Sequence, residues 1–204
     1  KHSMFLFLDV VSPIPEFHII KDKKIIDSIK IVKSIQQKLS DEIIQTYLEI
    51  NNSYNLSKNL QNLIITIGPG SYTSLRVGGS FIAGLSYSMN LSVSTISIEN
   101  IHKYLNNSNN QKGVYFESSN NQNFFSYKKG VQFFLEKIEN QNYIMPNFIT
   151  DVFYNVKSPK FINKQIQVTP FSIKEVILKN FDKLEFGKKL LIQPIYISNN
   201  SMLN

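Results

Sequence analysis

An apolar run from Phe5 to Val11 opens the chain and stops at Ser12–Pro13, the pattern of a short buried strand. Apolar positions return at Phe17, Ile19 and Ile20, break at Lys21–Asp22–Lys23 and resume from Ile25 to Val32, which predicts a hairpin and a three-stranded start. Ser40, followed by Asp41 and Glu42, reads as a helix N-cap with acids over the positive end of the helix dipole. Ile43, Ile44, Tyr47 and Leu48 then recur on one helical face. Leu63 to Ile67 predicts a buried strand that ends at Gly68–Pro69–Gly70. From Thr73 to Met89 there is no proline, and Leu75, Phe81, Ile82, Leu85 and Met89 fall at helical spacing. A strand over Leu91–Ile96 and a helix from a Ser97 cap to Leu105 follow.

The polar run Asn106 to Lys112 is the best boundary, so 4–105 is expected to form one lobe, 106–112 a linker and 113–204 a smaller lobe. Beyond it, Val114–Phe116, Phe124–Tyr127 and Val131–Ile138 predict an antiparallel meander. Asn140 to Gln167 has no readable period. Ser172 and Glu175 have capping-box spacing before a helix expected to run through Phe181. Gln193–Pro194–Ile195–Tyr196 reads as extended. The order of elements suggests two related α/β lobes, although no sequence repeat betrays a duplication.

Chemistry concentrates in residues 65–85. Gly68 and Gly70 permit backbone angles that other residues resist, while Pro69 fixes one φ. Ser71 and Thr73 can satisfy orphaned amides in the first turn of the helix that follows. Such a turn can cradle an anion or simply connect strand to helix. It lacks the Gly-Lys-Ser/Thr ending of a P-loop and the spaced glycines of a dinucleotide fingerprint. The helix itself is dense in small residues: Gly78, Gly79, Ser80, Ala83, Gly84 and Ser86. Each interior glycine costs roughly 1 kcal/mol against alanine, so close approach of another helix, internal or on a partner, is the expected compensation.

Composition adds less. The 204 residues carry a net charge of +7, spread along the chain rather than gathered into a patch, and no aromatic-plus-basic RNA signature is visible. With 42% hydrophobic and 18% charged residues the chain reads as an ordinary globular protein. No apolar run reaches membrane-span length, no signal peptide is apparent, and Lys1, His2 and Ser3 precede Met4, the first plausible start. The absence of cysteine removes disulfides, thiolate metal sites and a cysteine nucleophile, and favours the cytoplasm.

The segment Gly68-Pro69-Gly70-Ser71-Tyr72-Thr73-Ser74-Leu75-Arg76-Val77-Gly78 closely resembles the hallmark of the TsaB (YeaZ) family. Phe7-Leu8-Asp9, Ser40–Ile44 and Pro194-Ile195-Tyr196-Ile197 extend the resemblance more loosely. It implies an α/β fold of the actin-like ATPase superfamily, with two ribonuclease H-like lobes built on mixed sheets. It also implies a non-catalytic scaffold that binds a TsaD-like catalytic subunit, joined by a TsaE-like ATPase. That machinery makes threonylcarbamoyladenosine at position 37 of tRNAs reading codons that begin with A. No catalytic, cofactor or metal residue is expected in this chain; ATP and a metal belong to the partner subunits, and tRNA is met through the complex. The expected partner-binding residues are Ile44, Tyr47, Ser71, Tyr72, Thr73, Arg76, Gly79, Ser80, Ala83 and Gly84, a surface that could also pair with its own copy.

Departures from the family pattern also carry information. Asp9-Val10-Val11 stands where Asp-Thr-Ser is usual, Ser74 where glycine is usual, and Glu117-Ser118-Ser119 where the second lobe has Asp-Ala-Arg. The enzyme alternatives are a metal-dependent TsaD-like transferase and an actin-like-fold kinase; a free-standing RNA-binding module rests on charge alone. TsaD resembles a longer chain with a His-x-x-x-His metal pair, whereas Ser97–His102 holds one histidine. His102 is expected to be a surface or partly buried helix residue, and Asp9 a structural remnant.

Overall fold

Ten strands form two five-stranded sheets in the computed structural model, which describes residues 3–105, 111–139, 142–162, 165–188 and 191–197. The first sheet contains β1 (Met4–Asp9), β2 (Glu16–Lys21), β3 (Lys24–Lys30), β4 (Leu60–Gly68) and β5 (Ser92–Ser97), in the order β3-β2-β1-β4-β5. Strands β1 to β3 are antiparallel, and β4 and β5 run parallel to β1. The second contains β6 (Lys112–Glu117), β7 (Asn123–Lys129), β8 (Gln132–Ile138), β9 (Asp151–Tyr154) and β10 (Gln167–Pro170). Its order is β10-β9-β6-β7-β8, with β6 to β8 antiparallel and β9 and β10 parallel to β6. The two sheets therefore follow one plan. The duplication missing from the sequence is present in the topology, and the fold is the α/β pair of ribonuclease H-like lobes.

All six residues of β1 are buried, as befits a central strand covered on both faces. The β2–β3 hairpin turns through Asp22 and Lys23, both at positive φ (51° and 60°), the geometry of a two-residue type I′ turn. Around the first sheet lie α1 (Leu39–Tyr54), α2 (Leu56–Asn59), α3 (Tyr72–Met89) and α4 (Ile98–Leu105); α5 (Ile173–Lys179) belongs to the second half of the chain. Among the described residues no helix is long and apolar enough to cross a membrane. Of the expected linker 106–112, residues 106–110 lie outside the described residues.

Several local expectations are corrected. Helix α1 begins at Leu39 with extended Lys38 as its N-cap, so Ser40 sits inside the first turn and its hydroxyl bonds Asp41 instead of an amide. The apolar positions of α1 also divide: Ile43 and Tyr47 are buried, whereas Ile44 and Leu48 are 59% and 47% exposed. Ser172 occupies the cap position of α5 without making the side-chain bond, and that helix stops at Lys179 before a separate 3-10 turn at Phe181–Lys183. His102 is fully buried, with Nδ1 3.2 Å from Ser126 Oγ on β7. Its contact ties α4 to the second sheet. The Ser97 cap is observed: its Oγ accepts from Asn100 N at 3.2 Å, while Asn100 Oδ1 accepts from Ser97 N at 2.8 Å.

One continuous cluster of buried residues runs from Leu6, Phe7 and Leu8 through Val114, Phe116 and Phe124 to Ile173 and Ile177. After α5 the chain returns to the first sheet. The rings of Phe181 and Phe186 meet Phe5 at 4.9 and 5.6 Å, Gly187 pairs with Val93 on β5, and Ile195 N donates to Ile67 O at 2.8 Å.

Candidate functional site

Each central strand ends in a loop that is caught by a side chain from the neighbouring parallel strand. Val10 N donates to Thr66 Oγ1 at 3.0 Å, and Glu117 N donates to Asn155 Oδ1 at 2.7 Å. Thr66 lies on β4, and Asn155 directly follows β9, so the two bonds are counterparts in the two lobes. The loops then touch. Ser118 Oγ donates to Val11 O at 2.7 Å, and a Cβ on Gly70 would stand 2.9 Å from that hydroxyl.

Asp9 sits at this junction, 4% exposed. Its Oδ1 accepts from Val11 N and Ser12 N, each at 3.0 Å, and from Thr66 Oγ1 at 3.2 Å; its Oδ2 accepts from Ser12 Oγ at 2.5 Å. A carboxylate offers about four lone-pair sites; three donors crowd Oδ1 and one, Ser12 Oγ, takes Oδ2. The side chain folds the β1–β2 loop onto itself. Beside it a cleft of about 350 Å³ is lined by Asp9, Ser12, Glu16, His18, Asn155 and Lys174, among others. Burial holds the His18 imidazole down to about 4, with nearby Asp9 opposing and Lys174 reinforcing, so the ring is neutral at pH 7.

The glycine turn is equally filled from within. Gly68 has φ +125°, and a Cβ there would lie 2.6 Å from the carbonyl oxygen of Ile195. Behind the turn, a Cβ on Gly78 would meet Val10 Cγ1 at 2.7 Å. These glycines admit other parts of the same chain. The two loops are in mutual contact, and the Ile195 carbonyl and the Val10 side chain cover Gly68 and Gly78. Among the described residues no group of three His, Asp or Glu side chains converges.

The expected partner-binding residues separate into two groups. Tyr47 is 9% exposed and packs edge-on against Phe81 at 5.4 Å; Ser71 is 6% exposed and its Oγ accepts from Ser74 N at 3.4 Å, capping α3. Gly79 is buried beneath Ile192, whose nearest atoms would lie 3.6–3.7 Å from a Cβ. These three are used inside the chain. Thr73 is exposed, and Ser71 alone supplies the cap. Tyr72, Arg76, Ser80 and Gly84 form an exposed stripe at four-residue intervals along α3, with Ala83 half-buried beside it. Ile44 is exposed on α1, which packs against α3 through Tyr47, and exposed Leu48, absent from the expected set, lies one turn further along. An apolar side chain at helical spacing reads as core; only the packed structure shows Leu48 facing outward.

Comparison with known proteins gives one family and one fold. The family model described as TsaD, tRNA N6-adenosine threonylcarbamoyltransferase, matches residues 30–150, more than half of the chain. YeaZ from Pseudomonas aeruginosa superposes with a TM-score of 0.58 at 13% identity, covering 96% of this chain and 100% of that one. A second Pseudomonas aeruginosa structure, described as an uncharacterized protein with similarity to peptidase YeaZ, gives 0.60 at 14% identity with the same coverage. No curated protein matches by sequence.

Proposed function

Because the chain belongs to the TsaD family of tRNA N6-adenosine threonylcarbamoyltransferases and has the fold of YeaZ along its length, we propose that it is a TsaB-type subunit. In this reading it is a non-catalytic scaffold that docks a TsaD-like catalytic subunit and works with a TsaE-like ATPase. The product is threonylcarbamoyladenosine at position 37 of tRNAs that read codons beginning with A. The partners carry the ATP and the metal, and the site of action is the cytoplasm. Asp9, whose carboxylate accepts four hydrogen bonds from its own chain, and the Ile195 carbonyl over Gly68 support a chain without chemistry of its own. His102, buried against Ser126 and drawn down to about 4 chiefly by burial, supports a packing role rather than a ligand role. Calorimetry on the isolated chain is expected to find no micromolar ATP binding; a micromolar constant would sink the non-catalytic reading.

Gly84 carries the docking argument. It lies inside α3, well before the C-cap at Asn90, and costs the helix roughly 1 kcal/mol against alanine. Nothing within 4 Å of its would-be Cβ offsets that cost. A helix from outside, laid along Ser80 and Gly84 beside Ile44 and Leu48, would offset it by dispersion contact at close range. The partner in this proposal is the TsaD-like subunit, with a second copy of the chain as the substitute when that subunit is missing.

Gly84→Ala is therefore expected to raise the stability of the isolated chain by about 0.5–1 kcal/mol, because the added methyl meets open space. Gly84→Phe is expected to leave the chain folded and abolish co-purification with the TsaD-like subunit. A folded Gly84→Phe protein that still binds that subunit normally would remove this face from the interface.

A further inference from the structure

Three side chains, two from α3 and one from the returning segment, meet on the surface at the start of α3. Tyr72 is the first residue of that helix and is 56% exposed; Tyr196, in the returning segment, is 43% exposed. Their ring centroids lie 4.8 Å apart with the planes tilted by 40°. Arg76, one turn along α3, donates from Nη1 to Tyr72 Oη at 2.8 Å, and its guanidinium carbon lies 5.2 Å from the Tyr72 ring centroid. Among the described residues no carboxylate pairs with Arg76, and α3 contains no other charged side chain. Its remaining N–H donors and its full positive charge are available to solvent.

The platform is held from beneath. Tyr196 follows Ile195, whose amide is bonded to Ile67 O at 2.8 Å and whose carbonyl lies over Gly68, while Tyr72 is positioned by the Ser71-capped start of α3. Two exposed rings on rigid mounts, with an unpaired guanidinium beside them, match what an unpaired nucleotide needs. A flat π-face stacks the base and a cation meets the phosphate. A protein partner would favour a carboxylate on the Arg and an apolar surround for the rings. Thr73, the exposed neighbour of Tyr72 on α3, is polar, and the chain carries a net charge of +7.

We infer that Tyr72, Tyr196 and Arg76 form a binding platform for an unpaired RNA base and its phosphate. The inference deepens the tRNA reading above and rests on it for the choice of RNA. The test uses the full chain and a fluorescein-labelled decaribonucleotide, single-stranded or as a duplex, with binding read by anisotropy. Tyr72→Ala and Tyr196→Ala are each expected to weaken single-strand binding roughly 5- to 150-fold, and to leave weak duplex binding unchanged. Tyr72→Phe, which keeps the ring, is expected to stay close to wild type. Arg76→Gln is expected to flatten the dependence of log K on log salt by about 0.7, since one phosphate is no longer neutralised. Thermal melts verify that each variant is folded. Alanine variants that bind single strands like wild type, or equal losses on single strand and duplex, overturn the platform. So does a wild-type chain that ignores the single strand. Alanine variants that keep RNA but lose the TsaD-like subunit overturn it in favour of protein docking. Loss of RNA binding in chains whose depletion leaves tRNA modification intact would instead fault the proposed function and leave the platform standing.

Discussion

Acidification from pH 7 to pH 5 is expected to cost the folded chain about 4 kcal/mol, about 2 from each of two buried histidines. His18 is 1% exposed and His102 0%, and burial is the main cause that draws each from 6.5 to about 4. In the folded state both rings stay neutral through this range, whereas in the unfolded chain they take up protons below about 6.5. The unfolded state thus binds more protons, so stability falls as pH falls; the loss starts near 6.5 and is complete near 4. The groups around His18 include Asp9, Glu16, Ser28, Lys174 and the Phe7 ring, and those around His102 include Ser126, Lys128 and the Phe133 ring. Lys174 and Lys128 both oppose protonation. Against a total stability on the order of 5–15 kcal/mol, the change is large. Urea titrations at pH 7, 6 and 5 measure it, and His102→Phe is expected to halve the slope. A stability that is flat over this window would show that the rings are solvated in the folded state.

Gly68→Ala is expected to destabilise the chain by roughly 2–6 kcal/mol, combining strain at φ +125° with overpacking. The atom in the way is the Ile195 carbonyl oxygen at 2.6 Å, and backbone cannot turn aside as a long side chain would. Ile195 is also pinned by its own amide bond to Ile67 O. Relief would require residues 192–197 to leave the first sheet, taking Ile192 off Gly79. Urea midpoints measure the loss, with Gly84→Ala moving the opposite way, and trypsin cleavage after Lys188 reports release of the segment. An unchanged midpoint together with unchanged cleavage would mean that the segment does not press on the turn.

The apolar pattern is sufficient to find strands β1 to β8 in outline, because strands such as Phe5–Val11 are short apolar runs between turn residues. It fails for β9 and β10. Gln167–Pro170 is exposed at all four positions, so burial leaves no alternation to read. The caps are legible where sequence-local chemistry decides them, at Ser71 and Ser97, and misleading at Ser40, where the extended backbone of Lys38 starts α1 earlier. The roles of the glycines are not legible. Gly79 and Gly84 look alike in sequence, yet one lies under an isoleucine side chain and the other meets open space, and nothing local points to the distant carbonyl over Gly68. The Tyr72–Arg76–Tyr196 group is hidden for the same reason, since Tyr196 stands most of the chain away from the other two and no local period links them.

The returning segment also imposes an order on folding during synthesis. Strands β1 to β5 end at Ser97, but Phe181, Phe186 and Gly187 complete the surroundings of β1 and β5, and Ile195 closes the glycine turn. Domains usually fold as they emerge, the N-terminal one first. Here the first lobe must wait, with Phe5 uncovered and the edge of β5 unpaired, while the ribosome adds about a hundred residues, several seconds of translation at roughly 5–20 residues per second. The nascent chain is thus exposed during that interval to binding by chaperones at β5. The Gly68 turn, and with it the Tyr72–Tyr196 pair, can take shape only once residues 192–197 have cleared the exit tunnel.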